Sequence, residues 1–296
     1  MISGASGLIG WPLAATLAAS GHTIVALRRG AAPGEAHWDP VAGTIDRAAL
    51  EGAGAVVHLA GATIAGRFTE RHRREVRESR VAGTRLLART LASLERKPTV
   101  LVSASAMGIY GDRGDELLDE SKPPGDGFLA DVGRQWEAET APAAEAGIRV
   151  VLLRTGLVFA REGGALPPML TPARLGLGGP LGSGRQWWSW VTIDDVVAAY
   201  AFAIATPALA GAANLATPQP VRQAELAHVL GRVLGRPAFL PAPAFALRLL
   251  LGRGMADSLL LASARMVPAR LTAAGFRFRF ETLEPALRHV LARGVA

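Results

Sequence analysis

Two periods of apolar spacing alternate along the first half of the chain. Residues 23–27, 55–60, 99–103 and 149–153 are short apolar runs of the kind that form buried strands. Between them lie stretches with helical spacing. Residues 11–19 read as a helix ended by Gly21, and 69–94 as a long helix, charged in its first half and apolar at Val81, Leu86, Leu87 and Leu91 in its second. Residues 128–146 read as one further helix, ended by Gly147. Strands alternating with helices predict a parallel sheet covered on both faces. Beyond residue 160 the character changes. Residues 163–184 form a long Gly- and Pro-rich connection, 187–191 read as a strand, Asp194 as the N-cap of a helix over 196–205, and 214–216 as a last short strand. From Val221 onward, small helices are separated by Pro237, Pro241, Pro243 and Pro268. The expected organisation is a domain over 1–217 and a small, mainly helical lobe over 240–293.

The turn Gly4-Ala5-Ser6-Gly7-Leu8-Ile9-Gly10 lies directly before the first helix. Glycines at this spacing let a backbone turn sharply, approach a pyrophosphate and pack a helix closely on a strand. The phosphates then meet the positive N-terminus of that helix. Strand, turn, helix and strand in succession support a dinucleotide-binding, Rossmann-like reading, with Gly4, Ser6, Gly7, Leu8, Ile9 and Gly10 against the cofactor. Only Met1-Ile2-Ser3 precede Gly4, fewer than the ~5 residues of an average strand. The first strand is therefore expected to be stunted, or the start to lie upstream.

Arg28 and Arg29 follow the second strand, and no Asp or Glu occurs between Gly21 and Gly34. An acid at this place bonds the ribose hydroxyls of NAD, whereas an arginine accommodates the 2′-phosphate of NADP, so NADP(H) is expected over NAD(H). The third strand ends in His58-Leu59-Ala60-Gly61. Leu59, Ala60 and Gly61 are expected against the cofactor ribose, and His58 reads as a hydrogen-bonded core histidine ahead of a proton-transfer group. The fourth ends in Ser103-Ala104-Ser105-Ala106-Met107-Gly108-Ile109-Tyr110-Gly111. Hydroxyls at the carboxyl end of a central strand face the crevice of an open α/β sheet. Ser103 is assigned to the cofactor, Ser105 to a substrate carbonyl or hydroxyl, and Tyr110 to orienting substrate or to packing under the loop. Arg185 and Trp187 follow a glycine-rich loop and suit a planar or anionic substrate. Packing of the lobe is the competing role for Trp187.

Composition removes other classes. The net charge of +7 comes almost wholly from arginine, since Lys97 and Lys122 are the only lysines. The arginines are dispersed without interleaved aromatics, so no nucleic-acid partner is expected. No apolar run reaches the ~18 residues of a bilayer span, and no basic segment precedes an apolar stretch at the N-terminus. Neither a membrane partner nor a signal peptide is expected. With no cysteine, disulfides, thiolate metal sites and cysteine nucleophiles are excluded, and a cytoplasmic location is expected. Asp, Glu and His show no metal-ligand spacing, so no metal is expected.

Several ordered motifs resemble the extended short-chain dehydrogenase/reductase superfamily. They are Gly4 to Gly10, His58-Leu59-Ala60-Gly61, Gly83-Thr84, Ser103 to Gly111, Arg154-Thr155-Gly156 and Val191-Thr192-Ile193-Asp194-Asp195-Val196. Trp38-Asp39-Pro40, Ser79-Arg80-Val81-Ala82-Gly83-Thr84, Tyr110-Gly111-Asp112-Arg113-Gly114 and the run Gly178 to Trp187 resemble an atypical NAD(P)-dependent epimerase/dehydratase-like branch with a C-terminal domain of unknown function. The resemblance implies a doubly wound α/β fold, an NADP(H) cofactor, a small-molecule substrate and Asp39 near the adenine; a turn role before Pro40 is the alternative for Asp39. It also implies a proton-transferring Tyr with a Lys four residues on, at the start of the helix after the 108–127 loop. Leu129 and Gly133 stand there instead, and Arg80 replaces the superfamily's Asn. Two functions are compatible: an oxidoreductase or epimerase that relies on positioning the nicotinamide, and a catalytically silent NADP(H)-binding regulator.

Overall fold

The structure is a computed structural model and describes residues 1–30 and 32–292. In chain order the strands are β1 (Ile2–Ser3), β2 (Ala26–Arg28), β3 (Ala36–Asp39), β4 (Thr44–Ile45), β5 (Ala55–His58), β6 (Val100–Ala106), β7 (Leu117–Leu118), β8 (Arg149–Thr155), β9 (Leu157–Phe159), β10 (Trp187–Trp188), β11 (Trp190–Thr192), β12 (Gly211–Leu215), β13 (Val221–Arg222) and β14 (Arg265–Met266). The helices are α1 (Gly10–Ala19), α2 (Arg47–Leu50), α3 (Glu70–Ala92), α4 (Phe128–Ala138), α5 (Ala141–Glu145), α6 (Leu166–Arg174), α7 (Ile193–Ala205), α8 (Gln223–Leu234), α9 (Ala244–Leu251), α10 (Arg253–Met255), α11 (Ala269–Ala273) and α12 (Leu283–Ala292).

An eight-stranded sheet runs in the order β12-β8-β6-β5-β1-β2-β3-β4. Its neighbours are parallel except β3 and β4, which are antiparallel. Leu13 and Leu17 of α1 and Val196 and Tyr200 of α7 pack on Ile2, Val57, Val102 and Val151 at one face. Leu87 and Leu91 of α3 pack with Trp38, Val56 and Leu101 at the other. This is the doubly wound fold expected. From β1 the chain winds outward to β4 and then returns through β5 to the opposite edge. The switch point, and with it the ligand crevice of such a sheet, lies at the carboxyl ends of β1 and β5.

The C-terminal helices are tied into the domain. Leu283 and Leu287 of α12 share a core with Leu226 and Leu230 of α8, Leu170 of α6 and the stacked Phe159 and Trp190. Short pairs join β14 to β7, β10 to β13 and β11 to β9. The expected lobe boundary near 240 therefore has the same core on both sides; residue 293 lies outside the described residues. Among the described residues, no helix is long and apolar enough to cross a membrane.

Several elements differ from the sequence reading. The single helix over 128–146 breaks into α4 and α5 at Glu139–Thr140, where Pro142 opens the second helix. The strand over 187–191 divides at Ser189, whose hydroxyl turns inward to the Ala264 carbonyl. Thr192, not Asp194, caps α7: its Oγ1 accepts from the Asp195 amide at 3.2 Å. Asp195 is itself buried and accepts the Arg279 and Phe280 amides. β3, β4, β7, β9 and α6 had no periodic signal, being too short or lying in Gly- and Pro-rich sequence.

β1 has two residues, as its short lead predicted. The Met1 amine donates to the Ala55 carbonyl at 3.0 Å, and burial lowers its pKa. A cavity of about 520 Å³ opens at the amino ends of the strands beside Met1, His22, Val25, Ala53 and Thr99. It lies at the end of the sheet opposite the glycine turn, so it is not the crevice at which such folds bind ligands.

Candidate functional site

The glycine turn is built by close contacts that only hydrogen permits. A Cβ on Gly10 would lie 2.1 Å from the Gly4 carbonyl oxygen, and one on Gly4 (φ +71°) would lie 2.9 Å from the Ala60 amide nitrogen. The turn is thus pressed against the end of β5, and Leu59 and Ala60 donate backbone hydrogen bonds to Ser3 Oγ at 3.2 and 3.4 Å. Ser6 and Gly7 are exposed. Leu8 packs toward Gly163 and Gly164. No side chain caps α1, and its first turn carries no acid. An uncapped, glycine-lined helix N-terminus leaves amide groups for an anion, which fits a bound pyrophosphate.

Arg28 and Arg29 are exposed at the end of β2. Arg28 pairs with Glu35 at 2.8 Å, an acid just beyond the 21–34 window, and Glu35 also accepts the Ala32 amide. Arg29 carries no such pair among the described residues. Asp39 accepts the Val41 and Ala42 amides, and these two bonds lower its pKa. Its carboxylate holds the turn into β4, the alternative role the sequence allowed.

His58 is fully buried, and its Nδ1 lies 2.6 Å from Ser3 Oγ. Since Ser3 Oγ accepts two amides, its own hydrogen goes to Nδ1, and Nε2 carries the ring proton. Burial, with the Arg80 charge second, pushes His58 down to about 4. Arg80 lies beside Gly61 and donates to the Ala62 and Val76 carbonyls; its guanidinium is over the Trp136 ring at 5.2 Å. Burial lowers its pKa to about 10. Sequence reasoning marked Arg80 as a replacement without giving it a place in the site. Its position in the Ser-Arg-x-x-Gly-Thr run was the available signal.

Two of the hydroxyls expected in the crevice, those of Ser105 and Tyr110, are taken by partners within the chain. Along β6, Ser103 and Ser105 are buried, whereas Ala104 and Ala106 are half-buried. Ser105 shares a face with Leu101, toward α3 and α4, and donates to Glu137 Oε1 at 2.6 Å. Glu137 forms a bidentate pair with Arg154, with both contacts at 2.8 Å. Arg154 also donates to the Tyr110 hydroxyl at 2.9 Å, and that hydroxyl donates to Asn214 Oδ1 at 2.8 Å. Tyr110 is fully buried, and burial raises its pKa. For Ser105 this differs from the expected substrate contact; for Tyr110 it matches packing under the loop, the second of the two roles the sequence allowed. They meet in one buried network under the crevice because strand alternation and an ion pair decide the direction of the side chains.

Leu129 and Gly133 lie on α4 facing the 107–110 turn. A Cβ on Gly133 would approach Ile109 Cβ to 2.9 Å, and a Cβ on Gly108 would lie 3.3 Å from Leu129 Cβ. Trp187 donates its indole N–H to Asp115 and has two guanidinium groups against its ring, Arg222 at 4.0 Å and Arg265 at 4.5 Å. Arg185 is exposed, and its carbonyl accepts from Arg222. Arg222 links the Arg185 carbonyl to the Trp187 ring, whose partners come from within the chain.

A parallel sheet with a glycine turn, an uncapped helix and a crevice at its switch point defines a dinucleotide-binding α/β protein. Comparison with known proteins specifies it: the chain belongs to the NAD dependent epimerase/dehydratase family, whose profile matches residues 1–216. A domain of unknown function, DUF1731, matches residues 242–290. The epimerase family protein Mb2239 of Mycobacterium bovis is 41% identical over 295 residues, 99% of this chain and 97% of its own length. The human epimerase family protein SDR39U1 (isoform 2), solved with NADPH, is similar at a TM-score of 0.91 and 33% identity, with 99% of both chains covered. A nucleoside-diphosphate sugar epimerase of Corynebacterium glutamicum gives a TM-score of 0.83 at 38% identity over 99% of this chain and 57% of its own.

Proposed function

We propose that this protein binds NADP(H) across the carboxyl ends of β1, β2 and β5 and acts as an oxidoreductase or epimerase-like enzyme on a small molecule, in the cytoplasm. The observation that carries this reading is the uncapped N-terminus of α1 behind a turn in which Gly10 tolerates no side chain. Gly4, Ser6, Gly7, Leu8, Ile9 and Gly10 hold the pyrophosphate, Arg28 and Arg29 the 2′-phosphate, and Leu59, Ala60 and Gly61 the ribose. Ser103 supports the end of β6 behind the nicotinamide, and Asp39 holds the turn that borders the adenine. The human relative solved with NADPH supports the choice of cofactor.

The bound cofactor would supply or accept a hydride. The chain's own part is positioning. Leu129 and Gly133 replace the proton-transferring pair, and Ser105 and Tyr110 hold the floor of the crevice from below. A second reading, a catalytically silent NADP(H)-binding regulator, is favoured by Leu129 and Gly133, which carry no titratable group on α4 beside the 107–110 turn. Titration calorimetry with NADPH and NADH tests the cofactor, with micromolar NADPH and much weaker NADH binding expected. Absence of binding to either would overturn the proposal. NADPH consumption with a carbonyl panel then separates the enzyme from the regulator.

A further inference from the structure

An arginine stripe runs along α3 toward the crevice. Arg73, Arg77 and Arg80 are spaced four and three residues apart and so share one face of the helix. Two aromatic residues of α4, eight apart, meet that stripe. Arg73 and Arg77 lie 5.4 and 5.8 Å from the Phe128 ring, and Arg80 lies over Trp136. Phe68, from the loop that leaves β5, packs edge-on against Phe128 at 5.4 Å. The lobe reaches the same place. Arg67 donates to the Leu250 carbonyl at 3.0 Å, and a Cβ on Gly254 would lie 3.1 Å from both Arg73 Nη2 and Phe68 Cβ. The stripe therefore starts at a rim shared by both lobes, beside Leu129, and runs inward past Gly61.

The charge of this rim is unanswered. Some exposed arginines elsewhere take carboxylates, as Arg28 does with Glu35, Arg85 with Glu139 and Arg288 with Glu284. Arg73 and Arg77 form no ion pair with an acid among the described residues, although Glu70 stands one turn before Arg73. Like charges four residues apart on a helix repel. The Phe128 ring lies against both guanidinium groups and attracts them without neutralising their charge. Two oriented guanidinium forks at a rim match one phosphate or carboxylate group.

We propose that the substrate is an anionic small molecule, a phosphate or carboxylate, whose charged group docks on Arg73 and Arg77 while its remainder lies along Phe128 into the crevice. This rests on the crevice being the reactive site. It moves substrate recognition from Arg185 and Trp187, whose ring is already covered, to the α3 rim.

The test is titration calorimetry of the full chain, with and without saturating NADP+, using phenyl phosphate, benzoate and phenol as probes. Saturable binding of phenyl phosphate or benzoate in the low-millimolar range is expected, with none for neutral phenol. Arg77→Gln should weaken it severalfold and the Arg73→Gln/Arg77→Gln pair at least tenfold. The Arg73→Lys/Arg77→Lys pair should keep most of it, and Arg89→Gln, on the far half of the same helix, should change nothing. Equal affinity in the Gln variants, equal binding of phenol, or no saturable anion binding would overturn the proposal. NADPH titrated separately keeps this result distinct from a failure of the cofactor assignment.

Discussion

Ser105 donates its hydroxyl proton to Glu137 at 2.6 Å, and the same carboxylate is clamped by Arg154. A serine at a strand end that could have faced a ligand instead completes a buried ion pair. The two charged side chains are 8% and 12% exposed, so removing one partner strands the other. Burial works against the Arg154 charge, and Glu137 more than offsets it, so the Arg154 pKa is raised. Glu137→Ala should cost about 3–5 kcal/mol of stability, the scale for an orphaned buried charge. Ser105→Ala should cost only about 1–2 kcal/mol, because Glu137 keeps Arg154. Urea unfolding checks both, and NADPH affinity should be unchanged in Ser105→Ala. A large loss of affinity there would return Ser105 to the crevice.

Gly10→Ala tests the turn itself. The added carbon would sit 2.1 Å from the Gly4 oxygen and 2.8 Å from Ala5 Cα, both backbone. The loop must move, at roughly 1–3 kcal/mol for such overpacking, and the α1 amides move with it. NADPH affinity should fall at least tenfold by calorimetry. Gly21→Ala provides the contrast. Its Cβ meets nothing within 4 Å, and its cost comes only from the positive φ of +86°.

Arg29→Asp should invert the cofactor preference. Arg28 is shared with Glu35, so Arg29 carries the larger part of the proposed 2′-phosphate contact. Losing that charge-assisted contact and adding a like charge should weaken NADPH by about 1–3 kcal/mol, with NADH little changed. Equal loss for both nucleotides would remove Arg29 from the phosphate site.

Placing a Tyr–Lys pair on α4 should fail for a steric reason. Leu129→Tyr/Gly133→Lys must place a Cβ at residue 133 within 2.9 Å of Ile109 Cβ and 3.2 Å of Ile109 Cα. We expect lower thermal stability and no gain in NADPH turnover on carbonyl substrates, whereas Leu129→Tyr alone should fold normally. A stable double variant with new activity would show that α4 can shift.

The centre of the sheet was readable because β6, β8 and the helices α1 and α3 write their periods over seven or more residues. The end of β6 was less legible. Ser105 and Tyr110 have hydroxyls at ligand-facing positions of the motif, but Glu137 and Arg154 lie 32 and 17 residues apart from Ser105 and Glu137 respectively, and no local pattern reveals that ion pair. The Gly4 to Gly10 turn was legible because its constraint is local and acts within seven residues. Thr192 went unread as a cap because the adjacent Asp194 and Asp195 are stronger capping signals; Asp195 was instead taken by the amides of residues 279 and 280.

His58 predicts how stability depends on pH. Its ring is fully buried, it accepts from Ser3, and it titrates at about 4 when folded, against 6.5 ordinarily. Above pH 6.5 the ring is neutral in both states and contributes its full share to stability. As pH falls from 6.5 toward 4, the unfolded chain binds a proton that the folded chain refuses, so this share is lost. Through that window the loss amounts to about 2–3 kcal/mol by linkage. His58→Asn cannot titrate, so its stability should fall less between pH 7 and pH 4.5 than that of the parent chain, by that amount. Urea unfolding at the two pH values measures the difference. Parallel losses would mean that a charged His58 is accommodated, with Ser3 and the β5 end rearranging around it.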